Sequence, residues 1–356
     1  MKDERAFIAM SGGVDSTVAA YLTLKEGTPC LGGTLRLYTA SETACGSTLD
    51  AKDAEAVARR LGIDYHLIDA SEYFRQKVMD KFVHCYSQGL TPSPCIDCNR
   101  YLKFGYLLDT ALSLGCTHLV TGHYAQIRKD PATGRHLLYK AADDAKDQSY
   151  FLCMLTQHQL SHTRFPLGGL TKPQVRQIAE EQGFLTARKR DSQDICFLPD
   201  GDHRTFLEKA LGGPFRPGDF LDLEGNVVGR HDGAIGYTCG QRRGLGLAMG
   251  YPVYVCATDV QKDTVTVGPN EALFHRSLRA NDWNFFPFDT LTAPLRVQAK
   301  VRSRMIQQPA TIYPEADGSA VVTFDEPQRA ITPGQSVVLY DGDLVIGGGT
   351  ITCVLD

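Results

Sequence analysis

Long hydrophobic runs are missing from this sequence of 356 residues. No segment approaches the roughly 18 consecutive apolar residues of a membrane-spanning helix, so we expect no membrane contact. The N-terminal segment 1–8 leads directly into a strand pattern and lacks the apolar stretch and small-residue cleavage site of a signal peptide. Internal repeats and low-complexity segments are missing as well. We therefore expect a globular protein of the cytoplasm.

An excess of positive charge is also missing. The chain has 37 Lys and Arg against 41 Asp and Glu, which gives a formal net charge of −4. Proteins that bind nucleic acids are often basic, so the overall charge does not indicate such a partner. A nucleic acid would have to meet a local basic face.

Disulfides are not expected either, although the chain has 11 cysteines. A chain of this length buries about three quarters of the surface that it exposes when unfolded, so its core is stable without them. Because an export signal is missing, we expect reduced thiols, most of them packed in the core as small apolar residues. At roughly 100–200 residues per domain, the length indicates two or three domains.

In the first half of the chain, predicted strands alternate with predicted helices. Short apolar runs indicate strands at residues 6–10, 30–38, 65–68 and 118–121. Apolar residues at helical spacing indicate helices between them, including a long one over 71–87. A capping-box pattern at Thr171 and Gln174 opens a further helix. This alternation is typical of right-handed βαβ units around a parallel sheet, and we assign residues 1–202 to an α/β domain.

The second half contains short strand patterns separated by glycine turns. They begin near residue 218 and continue from about residue 278 to the end of the chain. Such regular spacing is typical of a small barrel. We expect a small β-rich central domain over 203–274 and a C-terminal β-barrel domain over 275–356.

The segment Ser11–Ser16, with the sequence SGGVDS, lies between a predicted strand and a predicted helix. Its glycines let the backbone approach a phosphate closely, and a helix N-terminus offers unpaired N–H groups and the positive end of the helix dipole. The segment is not a Walker A loop, because the Gly-Lys-Ser/Thr ending is missing. It predicts a phosphate-binding loop, and the alternative is an ordinary glycine turn before a helix.

Two further segments carry cysteines in polar or proline-rich surroundings. Residues 91–98 are predicted to form a loop before a helix, and they hold Cys95 and Cys98 at C-x-x-C spacing. Cys196 lies in the second segment. A helix N-terminus favours the nucleophilic thiolate of a cysteine. A C-x-x-C pair fits a redox pair, half of a zinc site or an iron–sulfur site, and a structural role for Cys98 also stays open. A four-cysteine structural zinc site is not expected, because a second C-x-x-C is missing.

The SGGVDS loop resembles the PP-loop of ATP pyrophosphatases, which cleave ATP at its α-phosphate and hold the pyrophosphate. Further motifs follow in one order along the chain: PSPCIDCNRYLKFG (92–105), VTGHYAQI (120–127), KDQSYFLCML (146–155), FPLGGLTKPQVRQIA (165–179), DSQDICFLPDGD (191–202), YTCGQRRGLG (237–246) and EPQRAITPGQSVVLYDGD (326–343). Together they resemble the bacterial tRNA-specific 2-thiouridylase family from end to end. The resemblance implies an α/β fold class: a parallel-sheet PP-loop (adenine nucleotide alpha hydrolase-like) domain, a small β-rich central domain that binds tRNA, and a C-terminal β-barrel.

The resemblance also implies a role for individual residues. For ATP it implies Ala9, Met10, Ser11, Gly12, Gly13, Val14, Asp15, Ser16, Leu35 and Gly122. For tRNA it implies Ser93, Pro94, Cys95, His123, Lys146, Asp147, Gln148, Arg302, Ser303 and Gln335. Cys98 matches the catalytic nucleophile of the family, and Cys196 matches its persulfide carrier.

Several of these roles have simpler alternatives. Lys146 and Asp147 also fit a solvated turn, Arg302 fits the exposed side of a strand, and His123 fits a hydrogen-bonded core histidine. One position departs from the family, because many members have Asp, proposed as a general acid or base, where this chain has Cys95. Asp97 is close to it in the sequence.

The implied reaction is the ATP-dependent 2-thiolation of the wobble uridine of tRNA. ATP, shielded by Mg²⁺, adenylates O2 of the base, and sulfur arrives as a persulfide on Cys196 from a cysteine desulfurase or sulfur-relay protein. The persulfide attacks C2 directly, or Cys98 releases hydrosulfide by forming a disulfide with Cys196. An anticodon loop offers an unstacked base that can be flipped into a pocket. A further hypothesis is that Cys95, Cys98 and Cys196 hold three irons of a [4Fe–4S] cluster whose fourth iron binds hydrosulfide.

Other functions of the PP-loop class fit less well. An amidotransferase-type synthetase needs a glutaminase domain or an ammonia channel, and the sequence offers no candidate domain. An argininosuccinate-type ligase does not need the two cysteines before the predicted helix. An inactive or cluster-dependent relative that only binds RNA or a metal would not need the complete SGGVDS loop.

Overall fold

The computed structural model describes residues 4–38, 48–189, 195–198 and 202–356. They form a five-stranded sheet, a four-stranded sheet and an eight-stranded sheet, with helices around the first. This arrangement confirms the predicted α/β fold class with a β-rich centre and a C-terminal barrel. Within the described ranges, no helix has the length and apolar character needed to cross a membrane.

The strands of the N-terminal sheet are β1 Ala6–Ala9, β2 Cys30–Arg36, β3 Asp64–Asp69, β4 His118–Val120 and β7 Thr163–Arg164. All pairs are parallel, in the order β3-β2-β1-β4-β7. Phe7 and Ile8 on the middle strand are fully buried, in two different core clusters on opposite faces. Burial on both faces explains why the strand is a continuous apolar run rather than an alternating pattern.

The described helices are α1 Val14–Lys25, α2 Thr48–Leu61, α3 Ser71–Phe74, α4 Asp80–Ser87, α5 Pro94–Asp97, α6 Leu108–Ser113, α7 Gln157–Ser161, α8 Lys172–Glu181 and α9 His203–Leu211. The π-helical segment Arg75–Met79 joins α3 to α4, which confirms the long helix predicted over 71–87. At the start of α8, the backbone N–H of Thr171 donates to Gln174 Oε1 at 2.8 Å, as the capping-box pattern predicts.

The prediction that residues 91–98 form a loop is wrong at its C-terminal end. The helix begins at Pro94 and continues from α5 through the π-helical segment Cys98–Leu107 into α6. Proline is favoured in the first turn of a helix, because its missing N–H has no partner there and its φ is already helical. Cys95 and Cys98 therefore lie in the first two turns of a helix, one turn apart.

The central sheet contains β8 Gly218–Leu221, β9 Val227–His231, β10 Tyr254–Asp259 and β11 Thr264–Gly268, in the order β10-β11-β8-β9. β8 and β9 form an antiparallel hairpin. Its turn is held by the Asp222 carboxylate, which accepts the backbone N–H groups of Glu224 at 3.0 Å and Asn226 at 2.8 Å. Phe220, Val255 and Val265 are fully buried at the centre of this domain.

The C-terminal strands are β12 Phe274–Phe285, β13 Leu295–Lys300, β14 Gln308–Pro314, β15 Ala320–Arg329, β16 Ser336–Asp341 and β17 Leu344–Val354. They follow the order β12-β15-β14-β13-β16-β17, and the pairing of β12 with β17 closes them into the predicted barrel. Ala299, Val322 and Leu339 are fully buried in its interior.

A hairpin from the N-terminal half extends the sheet of this barrel. β5 Gln126–Lys129 and β6 His136–Tyr139 pair with each other, and Tyr139 pairs with Leu344 of β17. The backbone N–H of Lys140 also donates to Asp343 O at 2.9 Å. No local sequence pattern predicts this hairpin, which fixes the barrel against the N-terminal domain and so shapes the cavity between them.

Candidate active site

A cavity of about 1410 Å³ opens where β1, β2 and β4 end and where the barrel loop 301–307 faces them. Ligands of α/β proteins bind at the carboxyl ends of parallel strands, near the point where the strand order reverses. The wall includes these sequence-predicted residues: Ala9, Met10, Ser11, Gly13, Val14, Asp15, Ser16, Leu35, Ser93, Pro94, Cys95, Gly122, His123, Lys146, Asp147, Gln148, Ser303 and Gln335. Gly12, Cys98, Cys196 and Arg302 lie outside it.

The SGGVDS loop is held in shape by its own hydroxyls. Ser16 Oγ accepts the backbone N–H of Ser11 at 3.1 Å and donates to Gly13 O at 3.1 Å. Gly12 has a φ of +69°, and a Cβ there would collide with the carbonyl oxygen of Asp50. A Cβ at Gly122 would lie 2.7 Å from the carbonyl carbon of Asp15. Glycine is needed at both positions. Gly13, Val14, Asp15 and Ser16, at the start of α1, line the cavity.

Asp15 forms hydrogen bonds with Lys172 and Tyr124, two residues that were not among the predicted site residues. Lys172 Nζ lies 2.8 Å from both carboxylate oxygens of Asp15, and the Tyr124 hydroxyl donates to Oδ1 at 2.8 Å. The Lys172 side chain is only 9% exposed. A lysine in the first turn of a helix opposes the helix dipole, and this mismatch was the available sequence signal.

Lys189 was also missed, and it connects the loop to helix α2. Its Nζ donates to Gly12 O at 3.2 Å, to Asp50 Oδ1 at 2.7 Å and to Asp53 Oδ2 at 2.9 Å. Nothing in the local sequence marks Lys189, since its partners lie more than a hundred residues away. Its contacts hold the SGGVDS loop against α2.

The three candidate cysteines differ in exposure. Cys95 is exposed on the cavity wall, Cys98 is 9% exposed one helical turn further on, and Cys196 is half-buried. Cys98 belongs to the large core cluster against which Cys196 packs. Phe197, next to Cys196, stacks edge-on against Phe82 with ring centroids 5.2 Å apart. This contact anchors residues 195–198, and residues 191–194 and 199–201 of the same motif lie outside the described residues.

Asp97 does not take the place of the family aspartate. Its carboxylate accepts a hydrogen bond from Lys81 Nζ at 2.6 Å in a second cavity of about 250 Å³, whereas Cys95 lines the main one. Burial raises the pKa of Asp97, and the Lys81 charge opposes that rise. The side chain of Asp97 points away from Cys95 because the two residues are two positions apart on a helix.

His123 is a buried histidine at the cavity wall. Its Nδ1 lies 2.7 Å from Thr121 Oγ1, and Lys103 Nζ lies 3.5 Å from its Nε2. Burial, and then the Lys103 charge, lower the pKa of His123 well below its usual range. The ring is therefore neutral, with Nε2 as acceptor for Lys103 and Nδ1 as donor to Thr121. These contacts fit a hydrogen-bonded core histidine, and His123 also lines the cavity.

The segment 146–148 is more ordered than a solvated turn. Asp147 accepts the backbone N–H of Ala141 at 3.1 Å and the hydroxyl of Ser149 at 2.8 Å. Gln148 Oε1 accepts the backbone N–H of Tyr124 at 2.9 Å. These bonds fix the segment beside the end of β4, with Lys146 on the cavity wall.

Arg302 is used within the protein. Its Nη2 donates to Cys239 O at 3.2 Å, to Ala330 O at 3.1 Å and to Thr332 Oγ1 at 2.9 Å. These acceptors lie before β10 and after β15, so Arg302 connects the central domain to the barrel. Ser303, the next residue, lines the cavity.

The wall has a local excess of basic side chains, in spite of the net charge of −4. It carries Lys103, Lys140, Lys146, Lys189, Lys300 and Arg304 against Asp15, Asp50, Asp144 and Asp147. Such a surface attracts a polyanion. With a negative net charge, the protein could meet a nucleic acid only through a local basic face of this kind.

The described part of the chain contains no assembled set of ligands for a metal ion or an iron–sulfur cluster. There, no three His, Cys, Asp or Glu side chains come together to hold a metal ion. Cys95, Cys98 and Cys196 all belong to that part, so they do not form the three-thiolate set that a [4Fe–4S] cluster requires.

Comparisons with known proteins agree with this architecture. Family models described as a tRNA methyl transferase HUP domain, a tRNA methyl transferase PRC-barrel domain and an aminomethyltransferase beta-barrel domain match residues 4–200, 204–269 and 275–351. Among solved structures, a 4-thiouridine synthetase–RNA complex with bound ATP is 18% identical, covers 59% of this chain and 50% of its own, and has a TM-score of 0.34, too low for a functional argument.

Curated relatives are much more similar. A tRNA-specific 2-thiouridylase MnmA of Heliobacterium modesticaldum is 48% identical, over 99% of this chain and 94% of the relative. One of Clostridioides difficile is 45% identical, over 98% of each chain. With this identity along nearly the entire length, the chain belongs to the tRNA-specific 2-thiouridylase family.

Proposed function

We propose that this protein transfers sulfur to C2 of the wobble uridine of tRNA in an ATP-dependent reaction. The observation that carries the proposal is the single cavity shared by the SGGVDS loop, Cys95, the segment 146–148 and the barrel residues Ser303 and Gln335. A phosphate-binding loop and a cysteine-bearing helix thus face one volume large enough for a nucleotide and a flipped base.

ATP would bind with its phosphates at the start of α1. The backbone N–H groups of a helix N-terminus and the hydroxyl of Ser11 suit the phosphates. Leu35 on β2 and Gly122 just after β4 suit the nucleoside. Mg²⁺ would arrive with the nucleotide, held by phosphate oxygens and water, and would shield the phosphate charge. The adenylation and sulfur-transfer steps that we propose do not depend on a dedicated protein site for this ion.

The chemistry we propose has two stages. O2 of uridine attacks the α-phosphate of ATP, so that pyrophosphate leaves and the base carries AMP. Cys98 then attacks the inner sulfur of a Cys196 persulfide, which forms a Cys98–Cys196 disulfide and releases hydrosulfide. Hydrosulfide attacks C2, AMP leaves, and a dithiol reductant returns both cysteines to thiols. The persulfide would come from a cysteine desulfurase or a sulfur-relay protein of the cytoplasm.

The direct attack of the persulfide on C2 is a variant of the same route. The terminal sulfur would bond to C2 as AMP leaves, and Cys98 would then cleave the sulfur–sulfur bond to free the thiolated base. Both variants need Cys98 and Cys196 and leave Cys95 outside the chemistry. The exposure of Cys95 on the wall supports a role beside the base.

The tRNA would approach from the side of the basic wall. Lys146 and Arg304 suit backbone phosphates, and Ser93, Pro94 and His123 line the same volume as the SGGVDS loop. Arg302 would act indirectly, by holding the barrel loop of Ser303 in place.

Exchange of radiolabelled pyrophosphate into ATP, with and without tRNA, tests the adenylation step. We expect exchange that depends on tRNA and on Ser16, whose hydroxyl shapes the loop. Ser16→Ala should lose most of the exchange, whereas Ser113→Ala, at the exposed end of α6, should keep it. Equal exchange in the two variants would contradict the assignment of the loop to ATP.

A further inference from the structure

We propose that Lys172 is a positioning residue for the phosphate-binding loop, which neutralises and orients Asp15 so that the loop accepts the phosphates of ATP. This inference deepens the proposed function and rests on its ATP step. It concerns an ion pair behind the cavity wall rather than a group that touches the substrate.

Tyr124 contacts both members of the ion pair. Lys172 Nζ lies 2.8 Å from both carboxylate oxygens of Asp15, and the Tyr124 hydroxyl donates to one of those oxygens at 2.8 Å. The Lys172 ammonium also lies 5.8 Å from the centre of the Tyr124 ring. Tyr124 itself is 2% exposed. Asp15 is therefore fixed in one orientation by groups that have little room to move.

Asp15 presents an electrostatic problem at this position. Its carboxylate belongs to the cavity wall beside Ser11 and Ser16, where the negative phosphates of ATP would bind. An unpaired carboxylate there would repel them through a low-dielectric surface, which strengthens the repulsion. Lys172 is not part of that wall among the described residues, so its charge acts on phosphates through Asp15.

The location of Lys172 is explained by this pairing. It occupies the first turn of α8, where the helix dipole disfavours a cation, and its own backbone N–H donates to Asp143 Oδ2 at 2.9 Å. The N-termini of α1 and α8 thus meet at the pair. Lys172 offsets the carboxylate and leaves the positive end of α1 available to the phosphates.

Binding of ATP, inorganic pyrophosphate and adenosine, measured by calorimetry without tRNA, tests this inference. Lys172→Met should weaken the binding of ATP and pyrophosphate at least about tenfold, because their phosphates meet the unpaired charge of Asp15. The affinity for adenosine, which has no phosphate, should stay within about twofold of the wild type. The affinity of Lys172→Arg for ATP and pyrophosphate should remain within about threefold of the wild-type affinity, because arginine keeps the positive charge. Lys25→Met, at the exposed end of α1, is the matched control and should change nothing.

The double variant Asp15→Asn with Lys172→Met makes the test specific to charge. It removes both charges and keeps an oxygen that accepts the Tyr124 hydrogen bond, so it should recover most of the pyrophosphate affinity that Lys172→Met loses. A double variant as weak as Lys172→Met, or unchanged pyrophosphate affinity in Lys172→Met, would overturn the inference. Parallel loss of adenosine binding would also overturn it, since that result indicates general damage to the site.

A variant that fails to fold and a failure of the proposed function give different results. If Lys172→Met does not fold, the neutral double variant decides alone: near-normal pyrophosphate binding supports the inference, and lost binding overturns it. Wild-type protein that binds ATP and pyrophosphate but does not thiolate tRNA would contradict the proposed function, while the same binding constants would still decide the role of Lys172.

Discussion

The side-chain amide of Gln335, on the C-terminal barrel, donates hydrogen bonds to the backbone carbonyls of Thr91 at 2.9 Å and Pro92 at 3.0 Å. The backbone N–H of Thr91 donates in turn to Pro333 O at 2.9 Å. The barrel thereby holds the stretch directly before the helix of Cys95 and Cys98. This contact spans more than two hundred residues of sequence and sets the position of the cysteine-bearing helix.

We therefore expect Gln335→Ala to slow thiolation without weakening the binding of ATP. Loss of two hydrogen bonds, each contributing about 0.5–1.5 kcal/mol, would loosen the start of the helix but leave the SGGVDS loop intact. Single-turnover thiolation and ATP binding check this split. Gln261→Ala, on an exposed turn of the central domain, is the control. Equal loss of ATP binding in Gln335→Ala would contradict a local positioning role.

The cysteines give a second prediction. Cys98→Ser and Cys196→Ser should each abolish thiolation with a persulfide donor, because the proposed disulfide needs both sulfurs. Cys95→Ser should keep much of the activity, since neither persulfide variant uses its thiol. Thiolated nucleosides and bound iron would be measured on protein purified without oxygen. Iron at cluster stoichiometry that disappears in Cys95→Ser together with activity would favour the cluster hypothesis instead.

Arg302 and Arg304 are two residues apart and should behave differently. Arg304 is exposed on the cavity wall, so Arg304→Ala should reduce the slope of log affinity for tRNA against log salt by about 1. Arg302→Ala should weaken tRNA binding at every salt concentration with an unchanged slope, because its Nη2 is engaged with the protein. Titrations over a range of salt concentrations distinguish the two. A flattened slope in Arg302→Ala would assign Arg302 to a phosphate.

The stability of the fold should depend on His118 in mildly acidic solution. Burial, and then the nearby Arg164 charge, lower the pKa of His118 to about 4. Between that value and about 6.5, the unfolded chain binds a proton that the folded chain does not, so stability is present above pH 6.5 and falls as the pH drops. We expect a loss of about 1–2 kcal/mol from this residue.

Urea unfolding at pH 7 and pH 4.5 checks this effect against His118→Gln, which cannot take up the proton. The wild type should lose more stability between the two pH values than the variant does. His158→Gln, on the exposed surface of α7, should follow the wild type. An identical loss in wild type and His118→Gln would contradict the assignment.

Much of the fold follows from local patterns. The apolar runs before Ser11 and around Leu119 predict buried strands because both of their faces are covered. The capping box at Thr171 predicts the start of α8 because its bonds are local. Strands of the barrel are recognisable from their length and their glycine turns. In each case the sequence signal and its cause lie within a few residues.

The features that were missed depend on distant partners. The hairpin of β5 and β6 is stabilised by its pairing with β17, which no local pattern reveals. The pairing of Lys172 with Asp15 joins residues 157 positions apart, and the Lys189 contact with Gly12 spans 177. The helix of Cys95 begins at Pro94 although prolines around it indicate a loop, since burial of Pro94 and Ile96 favours the helix.

Mass spectrometry of tRNA nucleosides from a strain that lacks this protein tests the central claim most directly. The account predicts that 2-thiouridine at the wobble position disappears and that its unthiolated form accumulates. The wild-type gene should restore the thiolated nucleoside, and a gene carrying Cys98→Ser should not. An unchanged amount of 2-thiouridine in the deletion strain would contradict the account.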